Sequence, residues 1–199
     1  MSADQPHAAQ PLNDAPTVLR EQDGPVAILT ISNPKRRNAF APEIRAALVR
    51  HLADIEADDA TRAILITGAG GTFSAGGDLS TMQDMTAFEG RERIRAGRAM
   101  VEALAGSEKP IVAAVDGFAF GAGLSLALLA DWIVAGDDAK FCASFGKVGL
   151  MGDMGLFWTL PLRVKAGKAR RMLMLADVVD AAEALKIGLV EAVAPKGEA

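Results

Sequence analysis

Two glycine-rich stretches and one basic triplet are the residues whose types and spacing best suit chemistry. The stretches are GAGGTFSAGGDL at 68–79 and DGFAFGAGLSLALLAD at 116–131. Each follows a short apolar run, 62–67 and 111–115, rich in β-branched residues, as expected for a strand buried on both faces. Glycine lets the chain turn sharply there and lets another group approach the backbone closely. Amides around Gly76, Gly77, Gly121, Ala122 and Gly123 then become unpaired donors, those of the second stretch at the start of a helix. Converging backbone N–H groups suit a phosphate, a carboxylate or a developing oxyanion. The competing reading is a tight strand-to-helix joint with nothing bound. Asp78 either serves the same ligand or caps a short helix.

The triplet Lys35-Arg36-Arg37 stands after Asn33-Pro34 and before Asn38-Ala39-Phe40. In an acidic chain, such a cluster at the mouth of a loop is either a phosphate clamp or a solvated surface. Asp153 lies between Gly152 and Met154-Gly155, and taken alone reads as a turn or helix-capping aspartate. His51 sits beside the apolar face of its helix, as a packed, hydrogen-bonded histidine does. His7 is the other histidine, and no cluster has metal-ligand spacing, so no metal site is expected. Cys142 is the single cysteine, which leaves no intrachain disulfide and suggests a packed thiol in a cytoplasmic protein.

These residues need a scaffold, and the rest of the chain supplies one. At 199 residues the chain is one domain, or one plus a fragment. Half its residues are apolar and few are aromatic, which implies a globular core of Ala, Val, Ile and Leu. A net charge of −4 argues against a general nucleic-acid binder. Residues 1–16, Pro, Ala and polar residues without periodicity, read as a disordered tail with no signal-peptide pattern. No apolar stretch is long and unbroken enough to span a membrane.

The expected elements are strands at 17–21 and 26–31, a helix at 42–57, a strand at 62–67 and a helix at 91–105. The 91–105 helix carries Ile94, Gly97, Val101 and Leu104 on one face. A strand at 111–115 and a buried helix at 124–130 follow, then strands at 131–135 and 139–142. An irregular loop at 145–155 leads to a helix over 158–176, broken near Pro161. A short helix at 181–187 and a strand at 189–193 end the order. Strands and a helix recur in succession, which predicts an α/β spiral of repeated ββα units over 17–199, with the glycine loops gathered at one end of the sheets.

Four motifs, in order and spacing, carry a family resemblance: NPKRRNAF at 33–40, FSAGGDL at 73–79, DGFAFGAGLSLALLAD at 116–131, and FGKVGLMGDMG at 145–155 with GLVEAV after it. On these the chain resembles the crotonase, or enoyl-CoA hydratase/isomerase, superfamily. The resemblance implies that the amides of Gly77 and Ala122 polarise the thioester carbonyl of an acyl-CoA. It implies that Lys35, Arg37, Ala39, Ala75, Gly76, Asp78 and Leu79 border the CoA moiety. Coenzyme A then enters as part of the substrate, with no separate cofactor. Family members usually continue past the GLVEAV strand into helices that close the pocket and build trimers or hexamers. A homotrimer or hexamer is therefore expected if such helices are present.

The resemblance also shows departures. Where a hydratase of the family carries two glutamates, this chain has Ser125 and Phe145, expected at the pocket. Asp153 matches the aspartate of a subgroup that includes enoyl-CoA isomerases and ring-1,2-epoxyphenylacetyl-CoA isomerase, and that shares the K-x-G-L-x-x-D-x-G run seen at 147–155. In apolar surroundings its pKa should be raised, as a proton shuttle needs. The implied reaction is a shift of 3-enoyl-CoA to 2-enoyl-CoA through an enolate, with Asp153 as base. The alternatives are a hydratase, another CoA-thioester enzyme such as a hydrolase or ring isomerase, and a non-catalytic acyl-CoA binder.

Overall fold

The period-2 and buried apolar runs become seven of the nine strands found in two sheets among the described residues, and the period-3.6 runs become helices at their flanks. A computed structural model describes residues 15–82 and 84–199. The expected tail, 1–16, lies outside the described residues except for Ala15 and Pro16. β1 (Thr17–Asp23) and β2 (Val26–Ser32) form an antiparallel hairpin. β3 (Ala63–Gly68), β4 (Ile111–Val115), β6 (Trp132–Gly136) and β9 (Ala192–Ala194) extend β2 in parallel, in the order β1-β2-β3-β4-β6-β9. β5 (Phe118–Phe120), β7 (Lys140–Cys142) and β8 (Val179–Asp180) make the smaller sheet. Leu29, Ile31, Ile64, Ile66, Val115 and Ile133 lose nearly all their solvent contact in the larger sheet. Each such side chain contributes about 1.5–3 kcal/mol by leaving water.

Each turn of the chain places a strand in the larger sheet, crosses to the smaller sheet, then forms a helix. β4, β5 and α3 (Ala122–Ala127) show it fully, as do β6, β7 and α4 (Leu156–Arg163). The two earlier turns do so through single bridges, Phe40 to Gly77 and Ser74 to Ala119, before α1 (Pro42–Glu56) and α2 (Ala87–Ala105). This is the expected spiral of ββα units. β5 and β8 were not anticipated. Three and two residues are too short to show a period, and they are strands only because β7 lies between them.

Three helical expectations need correction. α2 starts four residues earlier than expected, because Thr86 and Glu89 form a reciprocal cap: the Glu89 amide donates to the Thr86 hydroxyl and the Thr86 amide to the Glu89 carboxylate. Pro161 does not break its helix. It lies inside α4, and the break falls at Val164, which is extended, before α5 (Ala166–Leu175). Pro161 forfeits only the bond to the carbonyl of Phe157, a residue open to solvent. The buried helix expected at 124–130 instead runs Ala122–Ala127 and ends in a turn.

α3 is seated against the 73–79 loop. A Cβ on Gly123 would lie 2.5 Å from the Ser74 carbonyl oxygen and 2.9 Å from the Ser74 Cβ. Gly123→Ala should therefore destabilise the fold by about 1–3 kcal/mol through overpacking. In thermal unfolding this lowers Tm by roughly 2–4 °C for each kcal/mol. An unchanged Tm would show that α3 can shift away freely.

Candidate functional site

The two glycine stretches meet, and a short list of side chains holds them together. Ser74 donates through its amide to Phe118 and accepts through its carbonyl from the Phe120 amide, which ties 73–79 to β5. The Ser74 hydroxyl donates to the Asn38 carbonyl (2.7 Å) and accepts from the Gly76 amide (3.1 Å). Asn38 Nδ2 donates to the carbonyls of Ala69 and Thr72, and its Oδ1 accepts from the Asn33 amide. The Ala75 amide donates to the Arg37 carbonyl. The NPKRRNAF loop is thus fastened to residues 69–76 by Asn38, Ser74 and the backbone amides of Phe40 and Ala75, the Phe40 amide donating to the Gly76 carbonyl at 2.7 Å, while Asn33 braces Asn38 and Ala39 within its own loop. Asn38 and Ser74 were not recognised as fasteners in the sequence because the partners that join the two loops lie more than thirty positions away.

Gly76 is the contact point between the stretches. Its φ is +100°, and a Cβ there would lie 2.5 Å from the Phe120 carbonyl oxygen and 3.2 Å from the Ala122 amide nitrogen. Only glycine fits. Two of the five amides expected to be unpaired are in fact used by the protein. Gly76 donates to the Ser74 hydroxyl, and Gly121 to the Cys142 carbonyl at 2.9 Å. The amides of Gly77 and Ala122 have no acceptor among the described residues. Ala122 opens α3, where an amide has no intrahelical partner.

Both residues border a cavity of about 810 Å³. Phe40, Leu79, Met82, Met85, Val101, Phe145 and Met154 give it apolar walls. Among the described residues that line it, Asp153 is the one carboxylate. Asp153 is exposed where it faces the cavity, yet protein atoms crowd around it on its other sides. That enclosure raises its pKa above the usual aspartate range, while the charges of Arg45 and Arg93 pull it down. The backbone beside it is unusual. Met154 and Gly155 have φ of +50° and +79° in succession, and the Leu156 amide closes the turn on the Asp153 carbonyl. A non-glycine residue in that region is held at some cost by its surroundings.

The other expected site residues divide between rim, wall and interior. Ala75 and Leu79 line the cavity with Gly77 and Ala122, and Phe145 forms a wall. Ala39 is buried behind its own loop, and Lys35 and Arg37 are exposed on the loop that carries it. Asp78 caps the short turn Leu79–Met82: its Oδ1 accepts from the Ser80 hydroxyl and amide. The Ser80 hydroxyl bond is the main reason its pKa is lowered, helped by Arg36 and Arg93. Ser125 does not reach the pocket. It is fully buried in α3, with its hydroxyl turned back toward the Gly121 carbonyl. α3 is enclosed on every side, so none of its mid-helix side chains can face an open chamber. His51 and Cys142 are packed, as expected: Nε2 of His51 pairs with the Val18 carbonyl, and burial raises the Cys142 pKa.

The sequence reading missed Arg45 and Arg93, which both line the cavity. Arg45 follows Ile44 on the apolar side of α1, in register with Leu48 and Leu52. A charge in that stripe was the available signal. Arg93 belongs with Gly90, Ile94, Gly97 and Val101 on one face of α2. Of this helix Met100 and Leu104 carry the core packing, while Ile94 is 75 % exposed. The period was right, but much of the face that it marked borders the cavity.

A family model described as enoyl-CoA hydratase/isomerase matches residues 21–199. A crotonyl-CoA hydratase of Syntrophomonas wolfei is 35 % identical over 177 residues, spanning 88 % of this chain and 68 % of that protein. A 1,2-epoxyphenylacetyl-CoA isomerase of Escherichia coli is 39 % identical over 179 residues, spanning 87 % and 68 %. Among solved structures, an enoyl-CoA hydratase from Polaromonas superposes with a TM-score of 0.87 at 37 % identity, covering 92 % of this chain and 72 % of its own. With a family model over most of its length, and relatives of this similarity, the chain belongs to the enoyl-CoA hydratase/isomerase family.

Proposed function

We propose that the protein is an acyl-CoA isomerase that moves a double bond from the 3- to the 2-position. The observation that carries this reading is that, among the described residues, Asp153 is the one carboxylate on a cavity bordered by the amides of Gly77 and Ala122, which have no acceptor there. The two amides hold the thioester oxygen and stabilise the enolate that forms when C2 loses a proton. One well-placed oxyanion donor contributes about 3 kcal/mol to the transition state. Asp153 takes the proton from C2 and returns it at C4. Its raised pKa suits it to both halves of the transfer. Phe145 and Met154 give this part of the cavity apolar walls, and the bound acyl group completes the barrier between Asp153 and water. Coenzyme A is part of the substrate, and the chemistry calls for no further cofactor.

A hydratase is the second reading, favoured by relatives such as the crotonyl-CoA hydratase. Hydration requires delivery of both hydroxyl and proton, work suited to two acid–base groups. Here Phe145 forms an apolar wall and Ser125 is sealed in α3. Turnover in deuterium oxide separates the readings. An isomerase converts 3-enoyl-CoA to 2-enoyl-CoA with less than full deuterium at C4, and forms little 3-hydroxyacyl-CoA from 2-enoyl-CoA. Rapid hydration of 2-enoyl-CoA would reject the isomerase reading.

The exposed Lys35-Arg36-Arg37 triplet, on the loop bonded to Ala75, serves CoA binding through the phosphates in this reading. Changing Lys35 and Arg37 to Ala together should weaken CoA binding, and added salt should weaken the wild type more than the double variant. Equal affinities at low salt would assign the cluster to the solvated surface. Assembly into trimers or hexamers also belongs to this reading. It is supported by the exposed apolar side chains of Phe157, Trp158 and Leu162 on α4 and Met174 and Leu175 on α5.

A further inference from the structure

Two guanidinium groups face the cavity, and neither is matched by a carboxylate at contact distance. Arg45 is only 7 % exposed, yet within the protein its side chain makes one hydrogen bond, from Nη2 to the Phe40 carbonyl at 2.9 Å. No nitrogen of this side chain is both sealed from the cavity and unpaired, so its remaining donors open on that space. Arg93 Nη1 donates to the Thr81 hydroxyl at 2.9 Å. Its Nη2 lies 3.6 Å from where a Cβ on Gly77 would stand, beside the proposed thioester site. Among the described residues neither arginine forms an ion pair with Asp153 or Asp78. The remaining cations on the wall are Arg98, paired with Glu102, and Lys147.

A largely buried cation without a partner is costly, and a second cation nearby adds to the cost. Burial and the charge of Arg93 both lower the Arg45 pKa, and burial lowers that of Arg93. The arginines do not serve Asp153 as contact counter-ions: among the described residues their charges act on it only through space, with no hydrogen bond or ion pair between them. Asp78 is committed to Ser80. Both arginines therefore present forked donors to whatever occupies the chamber, and that geometry matches a carboxylate.

Resting on the acyl-CoA reading above, we propose that Arg45 and Arg93 select an acyl group that ends in a carboxylate, the monothioester of a dicarboxylic acid. Binding of saturated thioesters tests this without any turnover. Calorimetry compares matched pairs of equal carbon count: succinyl- with butanoyl-CoA, glutaryl- with pentanoyl-CoA and adipyl- with hexanoyl-CoA. At least one dicarboxylic member should bind the wild type about tenfold or more tighter than its partner. In Arg45→Met or Arg93→Met that ratio should fall toward one, while the monocarboxylic affinity stays within about twofold. Arg93 is the less buried of the two, so its variant and the wild-type ratio carry the test if Arg45→Met fails to fold. Equal affinities within every wild-type pair would overturn the proposal and leave the acyl-CoA reading standing. A ratio that survives in folded variants would overturn it as well. If no thioester of either class binds, the acyl-CoA reading itself fails, and the proposal with it.

Discussion

Asp153→Asn should lower the rate of the 3-enoyl to 2-enoyl shift by about 10²–10⁴-fold, the range for loss of a positioned acid–base group. Affinity for the CoA thioester should hold, because asparagine keeps the shape of the side chain and removes only its ability to carry the proton. Stability should not suffer either. A carboxyl whose folded pKa is raised favours the folded state while protonated, below its unfolded pKa. That advantage is lost as pH rises through the folded pKa, so at neutral pH the ionised group opposes folding. Tm of the asparagine variant at neutral pH should equal or exceed that of the wild type. The pH profile gives an independent sign. A base must be ionised to accept a proton, so kcat/KM of the wild type should fall on the acid side at a pH above the ordinary aspartate range. Arg93 pulls that pKa down, so Arg93→Met should move the acid limb to higher pH. Wild-type turnover in a folded Asp153→Asn protein would remove Asp153 from the mechanism.

Deleting either unpartnered amide should cost about a hundred- to thousandfold in turnover, the range seen when one oxyanion donor is lost. Proline is the substitution that deletes an N–H. Ala122→Pro places proline at the first residue of α3, a position that tolerates it, though it follows Gly121 with its φ of +51° and so also needs proof of folding. Gly77→Pro tests the other donor and needs a control, since it follows Gly76 with its φ of +100°. Gly77→Ala is that control. It keeps the amide, and its Cβ would meet only Arg93 Nη2 at 3.6 Å. The expected pattern is near-wild-type turnover for Gly77→Ala and large losses in both proline variants, with thermal unfolding confirming that each is folded. Full turnover in folded Ala122→Pro would exclude that amide from the reaction.

Much of this site was legible because its signals are local. The β-branched runs at 62–67 and 111–115 gave strands within a residue or so of their bounds. The glycines at 76 and 123 marked close backbone approaches, and the structure shows a Cβ at either position colliding with a carbonyl. Asp153, set in an apolar run next to glycine, was expected to have a raised pKa, and enclosure raises it. Each of these follows from a residue and its immediate neighbours, through dihedral freedom, periodicity or the polarity of the adjoining chain.

Tertiary structure alone decided which donors remain available and what each face meets. By residue type and turn chemistry Gly76 and Gly121 looked equivalent to Gly77 and Ala122, and only the family resemblance set the latter two apart. The Ser74 hydroxyl and the Cys142 carbonyl occupy two of these amides and leave the other two. The apolar stripe of α2 gave its period but not its neighbour: Leu104 packs into the core, whereas Ile94, Gly97 and Val101 border the cavity. Ser125 was expected at the pocket, and the packing around α3 turned it inward. Arg45 and Arg93 come from helices separated by β3 and two loops, and their proximity to Asp153 has no counterpart along the chain. Periodicity and turn chemistry are set by the few residues around a position. Hydrogen-bond partners and cavity walls are set by which distant segments the sheet brings together.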